Sequence, residues 1–256
     1  MNTEWTLTLT IDGTADAPVL VLGHALGASH VMWEEVLPEL AHRFRIVRYD
    51  LPGHGRSRIA PVDEPLTLDM LFGALERSLN QAGIGRFHAA GLSMSGMLSL
   101  AMAARMPERV LSATTVSAGA SFGPQHIWTE RAARVREHGT GDLVDETIHR
   151  WFTPEYREGD GKKMVERIRE EFIACEDEGY AQCCEVIGTT DLWNELDTIT
   201  APVHILNGTH DQGFDNAAAE ALERALVNAE SVLLTHIPGA QHMCAVEHPH
   251  VFASAV

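Results

Sequence analysis

Apolar and polar residues alternate over residues 5–11 (WTLTLTI), the period of a half-buried strand, and Asp12-Gly13 marks a turn after it. Residues 18–23 (PVLVLG) form a short, nearly unbroken apolar run, as in a central strand of a parallel sheet. A helix-like stretch at 32–41 precedes a strand at 45–50 (RIVRYD). Leu68, Leu71, Phe72, Leu75 and Leu79 recur at spacings of three and four, which predicts a helix over 67–82. A short strand at 87–90 is followed by an apolar helix over 94–105, stopped by Pro107, and by a strand at 110–116. Further on come a strand at 203–207, a helix near 217–227 and a strand at 231–237.

Strands alternating with helices build a mostly parallel sheet with helices on both faces, an α/β architecture. Its crossovers are right-handed and its ligands bind at the carboxyl ends of the strands. The alternation stops between Phe122 and about Thr190, where four helix-like stretches follow one another. Their apolar faces are Leu143, Val144, Thr147, Ile148 and Trp151, then Met164, Val165, Ile168 and Phe172, then Tyr180, Cys183, Cys184 and Ile187. Residues 122–190 are therefore expected to form a helical cap, inserted after the sixth strand and lying over the sheet's carboxyl end. Residues 1–121 and 191–256 form the core.

Composition narrows the partners. Net charge is −17, from 36 acidic and 19 basic side chains, and such a surface repels nucleic acid and anionic membranes. A pocket obeys its own few charges, so a small anionic substrate stays open, and the 122–190 insert holds 9 of the 19 basic residues. No apolar run approaches the roughly 20 residues of a membrane span. The start, Met1 to Trp5, lacks a basic, apolar leader, so a cytoplasmic location is expected. Cys175, Cys183, Cys184 and Cys244 have no metal-ligand spacing and are expected to be buried, reduced thiols.

Candidate chemistry centres on Gly91-Leu92-Ser93-Met94-Ser95-Gly96, between a short strand and an apolar helix. That is the setting of a nucleophile elbow, a strained turn whose flanking positions must be small. Ser93 is the candidate nucleophile; Ser95 stands where glycine is usual and Met97 fills its own small position. Serine needs a base, and in this arrangement the acid and then the histidine follow it along the chain. Asp211 lies in the loop after the 203–207 strand, while Asp215 reads as a helix N-cap. Among 14 histidines, His242 alone sits in the loop after the last strand, at the same end of the sheet. The backbone amides of Leu26 and Met94 are the candidate oxyanion donors, such donors contributing about 3 kcal/mol each. His24 reads as a loop-packing residue.

The strings HALGASHVMWEEVLPELAHRFRIVRYDLPGHGRS, GLSMSGM, GTHD and AQHMCAVEHP resemble the α/β-hydrolase superfamily along nearly the whole chain. WTERAARVREHG, RWFTPEY and EGYAQCCEVI resemble the caps of 3-oxoadipate enol-lactonases. The resemblance implies an eight-stranded, mostly parallel sheet and hydrolysis of a small enol-lactone bearing a carboxylate, through an acyl-enzyme and with no metal or organic cofactor. Such a substrate needs a cationic partner. Trp128, Arg131 and Val135 share a helical face, so Arg131 is the candidate for the charge and Trp128 or Trp151 for the wall. The same triad also suits a general carboxylesterase, a carbon–carbon bond hydrolase, a perhydrolase or a slow-turnover ligand receptor.

Overall fold

The computed structural model describes residues 5–61 and 63–256. The reading of the N-terminus as leaderless rests largely on residues 1–4, which lie outside them. In chain order the elements begin β1 (Leu9–Gly13), β2 (Val19–Gly23), α1 (Leu37–Leu40), β3 (Arg45–Tyr49), α2 (Leu68–Gln81), β4 (Phe87–Leu92), α3 (Met94–Arg105) and β5 (Val110–Val116). Five α-helices follow: α4 (Gln125–His138), α5 (Val144–Trp151), α6 (Pro154–Glu158), α7 (Lys162–Ala174) and α8 (Asp177–Thr189). The chain then returns to the sheet with β6 (Val203–Gly208), α9 (Asn216–Ala225), β7 (Val232–Ile237), α10 (Cys244–Glu247) and α11 (Pro249–Ala255).

The sheet order is β1-β3-β2-β4-β5-β6-β7, with β1 antiparallel to β3 and every other pair parallel. The parallel strands therefore end on one edge, and the loops after β2, β4, β6 and β7 meet there. Leu20–Gly23 and Ala89–Leu92 are buried, as central parallel strands covered on both faces require.

Five expectations are corrected. The sheet has seven strands among the described residues, not eight, because only seven segments of this chain carry strand patterning; the eighth came from the family resemblance. The first of them starts late. Leu7 and Thr8 donate their amides to the Ser78 and Ser57 hydroxyls, both at 2.8 Å, so ladder pairing begins only at Leu9. The helical insert accordingly follows the fifth strand rather than the sixth, and it holds five α-helices rather than four. The helix expected at 32–41 is instead a 3-10 segment, His30–Val36, leading into the short α1. Pro38, lacking an amide hydrogen, prevents one continuous helix.

Among the contacts that seat the insert on the core is one close backbone approach. Glu176 donates its amide to the Gly53 carbonyl at 2.9 Å, just before α8. A Cβ on Gly179 would lie 2.4 Å from the Gly53 Cα, so only glycine permits this crossing. No described helix is long and apolar enough to cross a membrane. The four cysteines are free and buried.

Candidate active site

Ser93 sits at the junction of β4 and α3 with φ 59° and ψ −122°, a backbone conformation that L-residues rarely adopt. Its surroundings enforce the turn. A Cβ on Gly91 would lie 2.2 Å from the Ser95 carbonyl oxygen, and one on Gly96 would lie 2.6 Å from the Ala118 Cβ. Ser93 donates its amide to Val116 at 2.8 Å, anchoring the turn to β5. Ser95 is fully buried. Neither its hydroxyl nor that of Tyr49 makes a well-formed hydrogen bond, although the two lie close to each other.

The loops after β6 and β7 are tied together before their side chains meet. Thr209 and His210 donate amides to the Ile237 and Ala240 carbonyls, at 3.1 and 2.9 Å. This brings the Asp211 carboxylate to the imidazole of His242, with Oδ2 accepting from Nδ1 at 2.8 Å. Oδ1 accepts from the Gly213 and Phe214 amides, at 2.8 and 3.3 Å. A carboxylate only accepts, so the imidazole proton sits on Nδ1 and Nε2 is left as the basic nitrogen. Burial by itself pushes Asp211 up. The charge and hydrogen bond of His242, the Gly213 amide and the Ser117 hydroxyl outweigh it and hold the carboxyl below its ordinary range. No hydrogen bond joins Ser93 to His242 among the described residues; links of this kind often tighten only with substrate bound. Asp215 caps α9, accepting from the Ala218 amide at 2.8 Å, as its position in the sequence predicts.

Leu26 and Met94 are the two expected oxyanion donors. Leu26 occupies a turn closed by the Ala28 amide donating to the Ala25 carbonyl at 2.9 Å. Gly27, with φ +86°, occupies the turn's third position, and its amide donates to His54 Nε2 at 2.9 Å. His24 braces the same loop, as expected of a packing residue: its Nε2 accepts from the Leu51 amide at 2.9 Å. Met94 opens α3, where the first amides have no intrahelical acceptor. Neither the Leu26 nor the Met94 amide donates a hydrogen bond among the described residues.

These groups face a cavity of about 410 Å³ under α4 and α5. Leu26, Ser93, Asp211 and His242 line its floor, and Trp128, Arg131 and Trp151 line its wall; of the expected residues only Met94, next to Ser93 in the chain, is not in the lining. Arg131 is held in place: Nε donates to Tyr180 Oη at 2.8 Å and a terminal nitrogen to Thr147 Oγ1 at 3.1 Å. Trp128 donates Nε1 to the Phe122 carbonyl. Val135, on the same helical face, packs into the core instead.

Sequence reasoning missed Arg150, which lines the same wall. It is an exposed residue with many protein atoms close by. Desolvation first, and the neighbouring Arg131 charge second, depress its pKa. No carboxylate forms an ion pair with Arg131 or Arg150 among the described residues. Two adjacent guanidinium groups without a protein counter-ion leave the cavity cationic at one end.

Comparison with known proteins gives the chain's family. The family model described as alpha/beta hydrolase fold matches residues 18–249. A 3-oxoadipate enol-lactonase of Acinetobacter baylyi is 30% identical over 244 residues, spanning 95% of this chain and 89% of that protein. A pimeloyl-[acyl-carrier protein] methyl ester esterase of Nitrosomonas europaea is 26% identical over 235 residues, spanning 88% and 90%. Among solved structures, the enol-lactonase from Burkholderia xenovorans LB400 superposes with a TM-score of 0.90 at 32% identity, covering 97% of this chain and 94% of that one.

Proposed function

The chain belongs to the α/β-hydrolase fold family, and from that premise we propose that it is a serine hydrolase opening 3-oxoadipate enol-lactone or a close analogue. One observation carries the reading: a serine elbow and an Asp211-paired His242 share a small cavity with two arginines that lack protein counter-ions.

Ser93 Oγ attacks the lactone carbonyl while His242 takes its proton. The Leu26 and Met94 amides hold the oxyanion. Collapse breaks the acyl–oxygen bond and opens the ring. The leaving oxygen departs as an enolate, so little acid assistance is needed. The enolate takes up the proton held by His242, directly or through solvent, to become a ketone still attached to the acyl chain, and His242 is neutral again. His242 then deprotonates a water, which releases the acyl group as the 3-oxo-dicarboxylate. Lactone plus one water gives the product, and no other reactant enters. Arg131 and Arg150 hold the substrate carboxylate by charge-assisted hydrogen bonds, with Trp128 and Trp151 as apolar walls.

Four of the insert's seven other cations are engaged with carboxylates. Arg134 pairs with Asp142 and Glu146, Arg136 with Glu178 and Glu185, Arg167 with Glu34, and Arg169 with Asp145. Arg157, Lys162 and Lys163 form no ion pair among the described residues either, but of the insert's unpaired cations only Arg131 and Arg150 line the cavity, and these two remain for the substrate.

The test is turnover of the lactone and of p-nitrophenyl acetate by the wild type and by Ser93→Ala and Arg150→Met. Lactone opening lost in Ser93→Ala supports the reading. Arg150→Met should lower kcat/KM for the lactone about 10- to 100-fold, the worth of one charged hydrogen bond, with acetate within about threefold. Acetate hydrolysis without lactone opening sinks the substrate assignment and keeps Ser93.

A further inference from the structure

The loop that carries His242 is fastened to the cap on both sides of that residue. Gln241 donates its amide to Glu247 Oε2 at 3.1 Å. Glu247 Oε1 accepts both the amide of Thr153, at 2.6 Å, and its hydroxyl, at 2.8 Å. On the other side of the histidine, Met243 donates its amide to the Trp151 carbonyl at 2.9 Å. Thus residues 241 and 243 are tied to residues 151 and 153, which adjoin the cavity-lining Arg150 and Trp151.

Glu247 is half-buried, and no cation pairs with it among the described residues. Its charge is met by three N–H and O–H donors from two separate elements. A carboxylate suits this place because both its oxygens only accept. A carboxamide has one accepting oxygen, and its NH2 would confront either the Gln241 amide or the Thr153 donors.

We propose that Glu247 is a positioning residue that registers the base His242 with the cationic wall at Arg150 and Trp151, and so sets the distance at which the enzyme accepts a carboxylate from the ester carbonyl. The inference rests on the reading of the site given above and adds its ruler. His242 keeps its own link to Asp211. Loosening the clamp therefore spoils the match between the two ends of the substrate more than it spoils the base.

The test uses monomethyl esters of succinic, glutaric, adipic and pimelic acids, with methyl butyrate as the neutral reference, followed by proton release. The wild type should favour one chain length at least tenfold over the poorest. Glu247→Gln should flatten that profile to within threefold and lower kcat/KM for the favoured ester at least tenfold, leaving methyl butyrate within threefold. Thr153→Val, which removes one donor, should flatten the profile partway, and Thr153→Ser should restore it. A purely structural role predicts a parallel fall on every ester together with a lower unfolding midpoint, and that result overturns the proposal. So does an unchanged profile in Glu247→Gln, or a wild type without length preference. Hydrolysis surviving in Ser93→Ala, run alongside, overturns the reading of the site itself and this inference with it.

Discussion

Replacing Asp211 by asparagine should cost far more activity than its near-identical shape suggests. Oδ1 accepts from the Gly213 and Phe214 amides, so the side-chain oxygen of asparagine must stay there. Its NH2 then faces His242 Nδ1, where Oδ2 now accepts at 2.8 Å. A donor in that place forces Nδ1 to be the acceptor and moves the proton to Nε2, the nitrogen that must receive the Ser93 proton. The stabilising charge is lost as well. Two unit charges about 4 Å apart at an effective dielectric near 20 interact by about 4 kcal/mol, roughly a thousandfold in rate. Both effects together predict a fall in kcat/KM of about 10³- to 10⁴-fold. The assay is steady-state hydrolysis of p-nitrophenyl acetate and the lactone, with thermal unfolding as the control for folding. A folded variant retaining more than a tenth of wild-type kcat/KM would refute both the tautomer argument and the role of Asp211.

Two further predictions concern stability. Burial above all, and the neighbouring His24 second, push His54 down to about 3. Its folded pKa lies below its unfolded one, so its contribution is complete above about pH 6.5 and is lost as pH falls from there toward 3. The slope is about 1.4 kcal/mol per pH unit, giving about 2 kcal/mol between pH 6.5 and 5. Urea unfolding at those two values checks it, and equal stabilities contradict it. Ser95→Ala removes a buried hydroxyl that has no well-formed hydrogen bond. Stability should change by less than about 1 kcal/mol, since little is given up; a loss above about 2 kcal/mol in urea unfolding would mean that the Tyr49–Ser95 contact is a real hydrogen bond.

The candidate catalytic loops were legible in the sequence because the chemistry they suit constrains local pattern. A serine with small residues two positions to either side, between an apolar strand and an apolar helix, and an acid and a histidine each just past a strand, leave few places to look. Arg150 was not legible. It lies beside Trp151 at the end of α5, where a basic residue ordinarily faces solvent and favours the helix dipole. Only the tertiary packing of the helical insert places it beside the cavity. The clamp at Glu247 was hidden for the same reason, joining residues 94 positions apart. Ser117, beneath Asp211, adopts φ 50° at the end of β5, and nothing in its neighbours demands that conformation. The strand count failed differently: residues supplied seven strands, and the eighth was borrowed from the resemblance.

The central claim is that Ser93 is the nucleophile, and it is tested most directly by covalent trapping. The protein is treated with a fluorophosphonate and its peptides are analysed by mass spectrometry. A single adduct on the peptide carrying Ser93, rising in step with loss of esterase activity and absent in Ser93→Ala, is the predicted result. An adduct on Ser95 or Ser117, or full activity in Ser93→Ala, would contradict the account.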